Sequence, residues 1–198
     1  MTTYVFSIVV EGLDLDSDPQ NAYLESLEFD VLASRTAGVT YLEVEVECAR
    51  PSLALDTAKK ALEVAGIKVL RVDLDLVTIT EIAERLDVNR ETVRLWSSGQ
   101  RRDDFPLPYS TVGKSSVWAW ADVFAWLRAR GQSIPSTYSD NPLPLDVTIR
   151  VNGGLAAGRQ AAQQWGVSSA TVVRGMPWSK REPRRIGDYK LHPVGRVS

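Results

Sequence analysis

The chain is poor in the residues that carry chemistry. Among its 198 residues there is one cysteine, Cys48, and one histidine, His192. A lone cysteine excludes an intrachain disulfide and fits a reducing compartment, so a cytoplasmic location is expected. Cys48 has no histidine near it in sequence, and His192 stands close to the C-terminal end. Neither suits nucleophilic or metal chemistry. No apolar run approaches the ~20 residues that span a bilayer. The opening "MTTYVFSIVVEG" lacks the basic region of a signal peptide and reads as a first strand. "GKSS" (113–116) is not a phosphate loop, because Pro108 occupies the place of the upstream glycine in GxxxxGK. "NGG" (152–154) is a turn signal, not a dinucleotide fingerprint. These absences point away from an enzyme, and no cofactor or metal is expected.

Charge is near balance overall, at a net −2, but it is unevenly spread. Residues 1–76 hold six Lys/Arg against fourteen Asp/Glu, residues 77–131 eight against seven, and residues 132–198 nine against four. An acidic start repels phosphate and a basic end attracts it, so different partners are expected for the two ends.

The first third predicts a small α+β domain over residues 1–76. "YVFSIVV" (4–10) and "FDVLAS" (29–34) read as strands, the second turning at "RTAG". "YLEVEVE" (41–47) and "LRVDLDL" (70–76) alternate apolar with charged residues, the mark of half-buried antiparallel strands. "DPQNAYLESL" (18–27) reads as a helix capped by Asp18 with Pro19 in its first turn. "PSLALDTAKKALEVAG" (51–66) reads as a second helix, with Ser52 as cap and Gly66 as stop. The order β-α-β-β-α-β predicts a ferredoxin-like arrangement. Its expected role is dimerisation, partner binding or ligand sensing. Asp14, Asp16, Asp18 and Glu25 fall at calcium-loop positions 1, 3, 5 and 12. Position 6 needs a glycine and carries Pro19, so an acidic strand-to-helix loop is the better reading.

The segment "ITEIAERLDVNRETVRLW" (79–96) poses a sharper question. Its apolar stripe runs through Ile82, Ala83 and Leu86, breaks, and restarts at Val93 and Trp96. One continuous helix would keep the 3.6-residue period. The break predicts two short helices, capped by Thr80 and Asn89, with a tight turn at Asp87–Asn89. "FPLPYSTVGKSSVWAWADVFAWLRARG" follows. It holds a proline loop (Phe105, Pro106, Pro108), a hairpin (Tyr109–Val112 and Ser115–Trp118, turning at Gly113–Lys114) and a closing helix with Val123, Trp126 and Leu127 facing inward. Residues 77–131 thereby resemble the winged helix-turn-helix of the MerR/excisionase superfamily. Asp87 departs from the glycine usual in that turn, though Asp tolerates left-handed backbone. The resemblance implies double-stranded DNA as partner. Val88, Val93 and Trp96 are spaced to pack inward, leaving Asn89, Arg90, Glu91 and Arg94 to meet base edges. Arg101, Arg102 and Lys114 are expected on phosphates or in a minor groove.

"GQSIPSTYSDNPLPLD" reads as a linker, covering residues 132–146, and "DVTIRVNGG" (146–154) as a strand ending in a turn. Residues 147–198 form a basic C-terminal region. Within it, "GRQAAQQWGVSSATVVRG" (158–175) repeats the pattern of the reader 79 residues on, with Gly166 in the place of Asp87. Gly175, however, stands where Trp96 would be, so two readings stay open: a degenerate second helix-turn-helix, or a plain helix and coil. Ser168, Ser169, Arg174, Lys180, Arg181, Arg184 and Arg185 are possible second DNA contacts. The expected function is a sequence-specific DNA-binding transcription regulator from a bacterium or phage, acting by operator occupancy. Two alternatives remain: a recombination accessory factor of the excisionase kind, and an antitoxin-like protein whose basic tail binds a protein partner.

Overall fold

A computed structural model of the chain describes residues 1–100 and 104–166. Period-two alternation produces the strands that it predicts. In β3 (Val39–Cys48) Leu42, Val44 and Val46 are buried, and Glu43, Glu45 and Glu47 are exposed. β3 pairs antiparallel with β1 (Thr2–Glu11) from Thr2–Cys48 to Val10–Thr40, and with β2 (Asp30–Thr36) on its other side. The β2–β3 turn places both Ala37 and Gly38 at positive φ, +50° and +78°, the twist that a two-residue hairpin needs. β4 (Lys68–Val72) pairs antiparallel with β1, giving the sheet order β2-β3-β1-β4.

Helix α1 (Asp18–Glu25) contributes Leu24, and α2 (Pro51–Val64) contributes Ala54, Leu55, Ala58 and Leu62, to one core with Phe6, Ile8, Val10, Leu42 and Val44. Leu42 and Leu62 are wholly buried, each contributing on the order of 2 kcal/mol by burial. The caps of both helices lie one or two residues before the expected ones. Ser17 and Arg50 hold the N-cap positions of α1 and α2, in place of Asp18 and Ser52. Pro51 itself opens α2, which its fixed φ and missing N–H allow. Cys48 is buried in this core.

The expected strand over 70–76 is divided. β4 ends at Val72, the Asp73 N–H still donates to the Ser7 carbonyl, and Leu76–Val77 form β5 in a different sheet. Asp75 lies at the crossing, its carbonyl accepting from the Trp120 N–H. β5 pairs with β7 (Ser115–Ala119), which pairs with β6 (Ser110–Val112). Around this sheet, α3 (Ile79–Arg85), α4 (Arg90–Ser97) and α5 (Trp120–Ala129) enclose a second core of Val77, Ile82, Val93, Trp96, Trp118, Val123, Trp126 and Leu127. The described residues thus form an α+β chain with antiparallel sheets and two cores. Among them no helix is long and apolar enough to cross a membrane.

The segment read as linker and strand differs from expectation. Asn141–Pro142 form β8, a short parallel addition to β1, and Leu143 is 5% exposed within the first core. Residues 146–154 are helical, within α6 (Leu145–Gly166). The β-branched run in "DVTIRVNGG" suggested a strand, but Thr148, Val151, Asn152, Leu155 and Arg159 recur at helical spacing. That face lies on β4, so packing overrides local propensity. Asn152 closes the sheet edge: its amide accepts from the Val72 N–H (2.8 Å) and donates to the Val72 carbonyl (2.9 Å). Arg159 donates to the Leu70 carbonyl two residues back. An edge strand is thereby covered by a helix. Val72 is 1% exposed, so Asn152→Ala strands a buried donor and acceptor. A loss of about 1–3 kcal/mol is expected, read as a lower urea midpoint at unchanged slope.

Candidate nucleic-acid interface

The turn between α3 and α4 follows from helix-end geometry. Thr78, not Thr80, caps α3: its hydroxyl accepts from the Glu81 N–H, and the Glu81 carboxylate accepts from the Thr78 N–H at 2.6 Å. This reciprocal capping box satisfies two otherwise free donors. It also holds the Glu81 carboxyl below the usual glutamate range, chiefly through that backbone N–H. At its other end, α3 stops with Asp87 left-handed at φ +51°. The Asp87 N–H reaches the Glu84 carbonyl and the Val88 N–H reaches the Ala83 carbonyl. Those two bonds are the Schellman ending that glycine normally serves, and Asp87 adopts it. Asn89 then caps α4, its side-chain oxygen accepting from the Glu91 N–H at 2.8 Å.

Capping and packing fix which face α4 presents. Val93 is wholly buried and Trp96 is 7% exposed, while Val88 is only half-buried. Asn89, Arg90, Glu91 and Arg94 are exposed. Two of them pair with each other. Arg94 donates from Nε to Glu91 Oε2 at 2.7 Å and from its terminal nitrogen to Oε1 at 2.6 Å. The hydrogen bond from Arg94 lowers the Glu91 carboxyl and raises the Arg94 guanidinium. Asn89 has its oxygen committed to the cap, leaving its NH2 group outward. Arg90 has neither constraint among the described residues.

Trp96 anchors α4 in an aromatic cluster. Its ring lies 5.4 Å from Trp126 and 6.3 Å from Phe105, and Phe105 lies 5.0 Å from Trp126 and 6.1 Å from Trp118. The Trp118 indole N–H donates to the Pro106 carbonyl at 3.0 Å, tying the proline loop to the hairpin. Arg130 pairs with Asp104 and lies over the Trp126 ring at 5.2 Å. The hairpin turns at Gly113, φ +61°, with Lys114 exposed beside it. Leu107 and Val112 on this arm are 87% and 66% exposed. Arg101 and Arg102 lie outside the described residues. So do Ser168, Ser169, Arg174, Lys180, Arg181, Arg184 and Arg185, together with the second helix that a repeat at 158–175 requires.

A feature that the sequence reading missed lies between the two cores. A cleft of about 670 Å³ runs from the outer face of β1–β3 to α5 and α6. Arg85, from the last turn of α3, crosses one end. It donates to both oxygens of Asp75, at 2.5 and 2.8 Å, with its guanidinium 4.9 Å from the Trp120 ring centre and 5.4 Å from that of Tyr138. Burial works against the charged form of Arg85. The hydrogen bond and charge of Asp75, with smaller contributions from Tyr138 and Glu81, outweigh it and raise its pKa. Glu43 and Glu45 were legible as an exposed charged face. Nothing in the sequence, though, placed Asp140 or Trp120 beside them.

No family model, curated protein or solved structure matches this chain.

Proposed function

We propose that residues 77–131 are a winged helix-turn-helix of the MerR/excisionase kind, and that the chain is a cytoplasmic transcription regulator occupying a short site on double-stranded DNA. One observation carries the reading. α4 buries Val93 and Trp96 and turns Asn89, Arg90, Glu91 and Arg94 outward as one exposed face. The preceding helix is set across it by the Asp87 turn, and the hairpin with Lys114 follows. A short helix presenting arginine and amide groups from its first turns suits a major groove, and a basic hairpin tip suits the adjacent backbone. We take the first unit as ferredoxin-like, on its β-α-β-β-α-β order and its β2-β3-β1-β4 sheet. The outward row Glu43, Glu45 and Glu47 argues that this unit holds a partner, a second copy or a ligand, not DNA.

The test is a genome-wide DNA pull-down with the purified full chain, repeated with Arg90→Ala and Arg94→Ala after each is shown to be folded. A single enriched motif, erased by both changes, is expected. Recovery of no motif, with DNA retention indifferent to either change, sinks the reading.

A further inference from the structure

The outer face of the first sheet carries an unusual arrangement of charge. Asp30 on β2 stands directly across from Glu45 on β3, a like-charged pair that weakens a sheet. Glu43 and Asp140 add two more carboxylates to the same cleft wall. Burial, then Asp140, Asp30 and Glu43 in turn, push the Glu45 carboxyl above its ordinary value. No ion pair within the described residues engages any of these four groups; Asp73 and Asp75, also in the cleft, are matched by Arg71 and Arg85.

The opposite wall supplies a second, independent observation. Trp120 and Thr148 both line the cleft and are both only 4% exposed. Neither the Trp120 indole N–H nor the Thr148 hydroxyl has a hydrogen-bond partner among the described residues. Both side chains are more than nine-tenths buried, yet their polar atoms stay open to solvent, so each is free to meet a ligand in the cleft they line. Leu32, Leu143 and Tyr138 give the same space apolar walls. Leu32 is left 68% exposed on its strand. The volume falls in the range that encloses a small organic molecule. Among the described residues no three His, Cys, Asp or Glu side chains converge closely enough to hold a metal ion, so the spread of carboxylates suits a larger, delocalised or alkyl-borne charge. Arg85 shows what this cleft accepts, since its guanidinium already lies against Trp120 and Tyr138 and on a carboxylate.

We propose that the cleft binds a small organic cation of the arylalkylammonium class. Its ammonium sits among Asp30, Glu45 and Asp140. Its ring rests against Leu32, Leu143 and Tyr138, and an oxygen on the ring meets the Trp120 N–H and the Thr148 hydroxyl. The carboxylates select the charge, and the two unpartnered polar groups select a hydroxylated ring over a bare one. The inference stands apart from DNA reading and does not need it.

Titration calorimetry on the full chain, with three probes of like shape and different charge, tests it. Tyramine is the cation, tyrosol the neutral analogue and 4-hydroxyphenylacetate the anion. Tyramine is expected to bind at least about tenfold more tightly than tyrosol, with no binding of the anion, because three exposed carboxylates surround the ammonium and each contributes about 1 kcal/mol at contact distance. Combining Glu45→Gln with Asp140→Asn should weaken tyramine about tenfold. Glu47→Gln, on the same strand outside the cleft, should leave it unchanged. Thr148→Val preserves shape and removes only the hydroxyl, so it serves should the double variant misfold; a loss of about threefold to tenfold is expected. Tyramine binding no tighter than tyrosol, or binding indifferent to both the carboxylate and the Thr148 changes, overturns the proposal.

Discussion

Trp96→Ala is expected to lower the unfolding free energy by about 3–5 kcal/mol, the cost of removing a large aromatic from a packed core. Trp96 is 7% exposed and meets both Trp126 and Phe105. Its loss opens a cavity that the surrounding rings cannot close, because Phe105 and Trp126 are themselves held by Trp118 and by each other. α4 has eight residues, too few to be stable as an isolated helix. Its structure therefore depends on Val93 and Trp96 docking. Two measurements follow from the separation of the cores. Chemical denaturation should show the lower stability, and amide exchange should show protection falling in α4 and α5 before it falls in β1 and β3. A loss below about 1 kcal/mol would mean that something other than the aromatic cluster holds α4.

Much of this was readable from residue pattern, and what was not has physical reasons. The alternation in 41–47 announced β3 because one face of that strand is buried and the other is not. The broken stripe of 79–96 announced two helices because Leu86 and Val93 belong to different axes, and Asp87 survives there by adopting φ +51°. The caps fall one or two residues upstream of the expected ones, because Thr78 and Thr80 have the same chemistry and because Ser17 and Arg50 hold their positions by backbone path, with no side-chain cap bond. Residues 146–154 depart from a strand for a different reason. "VTIRV" favours a strand on its own, and only the presence of β4 beside it makes the helical spacing of Thr148, Val151, Asn152 and Leu155 pay off. The cleft was invisible for a similar reason. Asp30, Glu45, Trp120 and Asp140 come from four separate elements or loops, and no periodicity links residues that only the fold brings together.

The Glu91–Arg94 pair gives the sharpest test of the reading face, because two neighbouring changes on α4 should act in opposite directions. Arg90 is exposed and has no partner among the described residues, so it is available to a base edge or a phosphate. Arg90→Ala is expected to weaken binding to the enriched site by about tenfold to a hundredfold, the worth of one good arginine contact. Arg94 is held on both oxygens of Glu91, and that pair presents little net charge to a phosphate. Glu91→Gln removes the negative charge and frees Arg94. Each added phosphate contact steepens the salt dependence by about 0.9. At about 0.1 M salt, one such contact tightens binding to DNA of random sequence roughly eightfold. Mild acid should not mimic the change: Arg94 holds the Glu91 carboxyl low, so the pair is kept above that lowered value and is lost only as pH falls through it. Filter binding across a salt series, on the enriched site and on random duplex, separates the outcomes. If Glu91 only restrains Arg94, Glu91→Gln tightens both duplexes. If Glu91 itself accepts from a cytosine, the random duplex tightens while the specific site weakens, and the ratio between them collapses. Should neither Arg90→Ala nor Glu91→Gln move either duplex, α4 is not the surface that meets DNA.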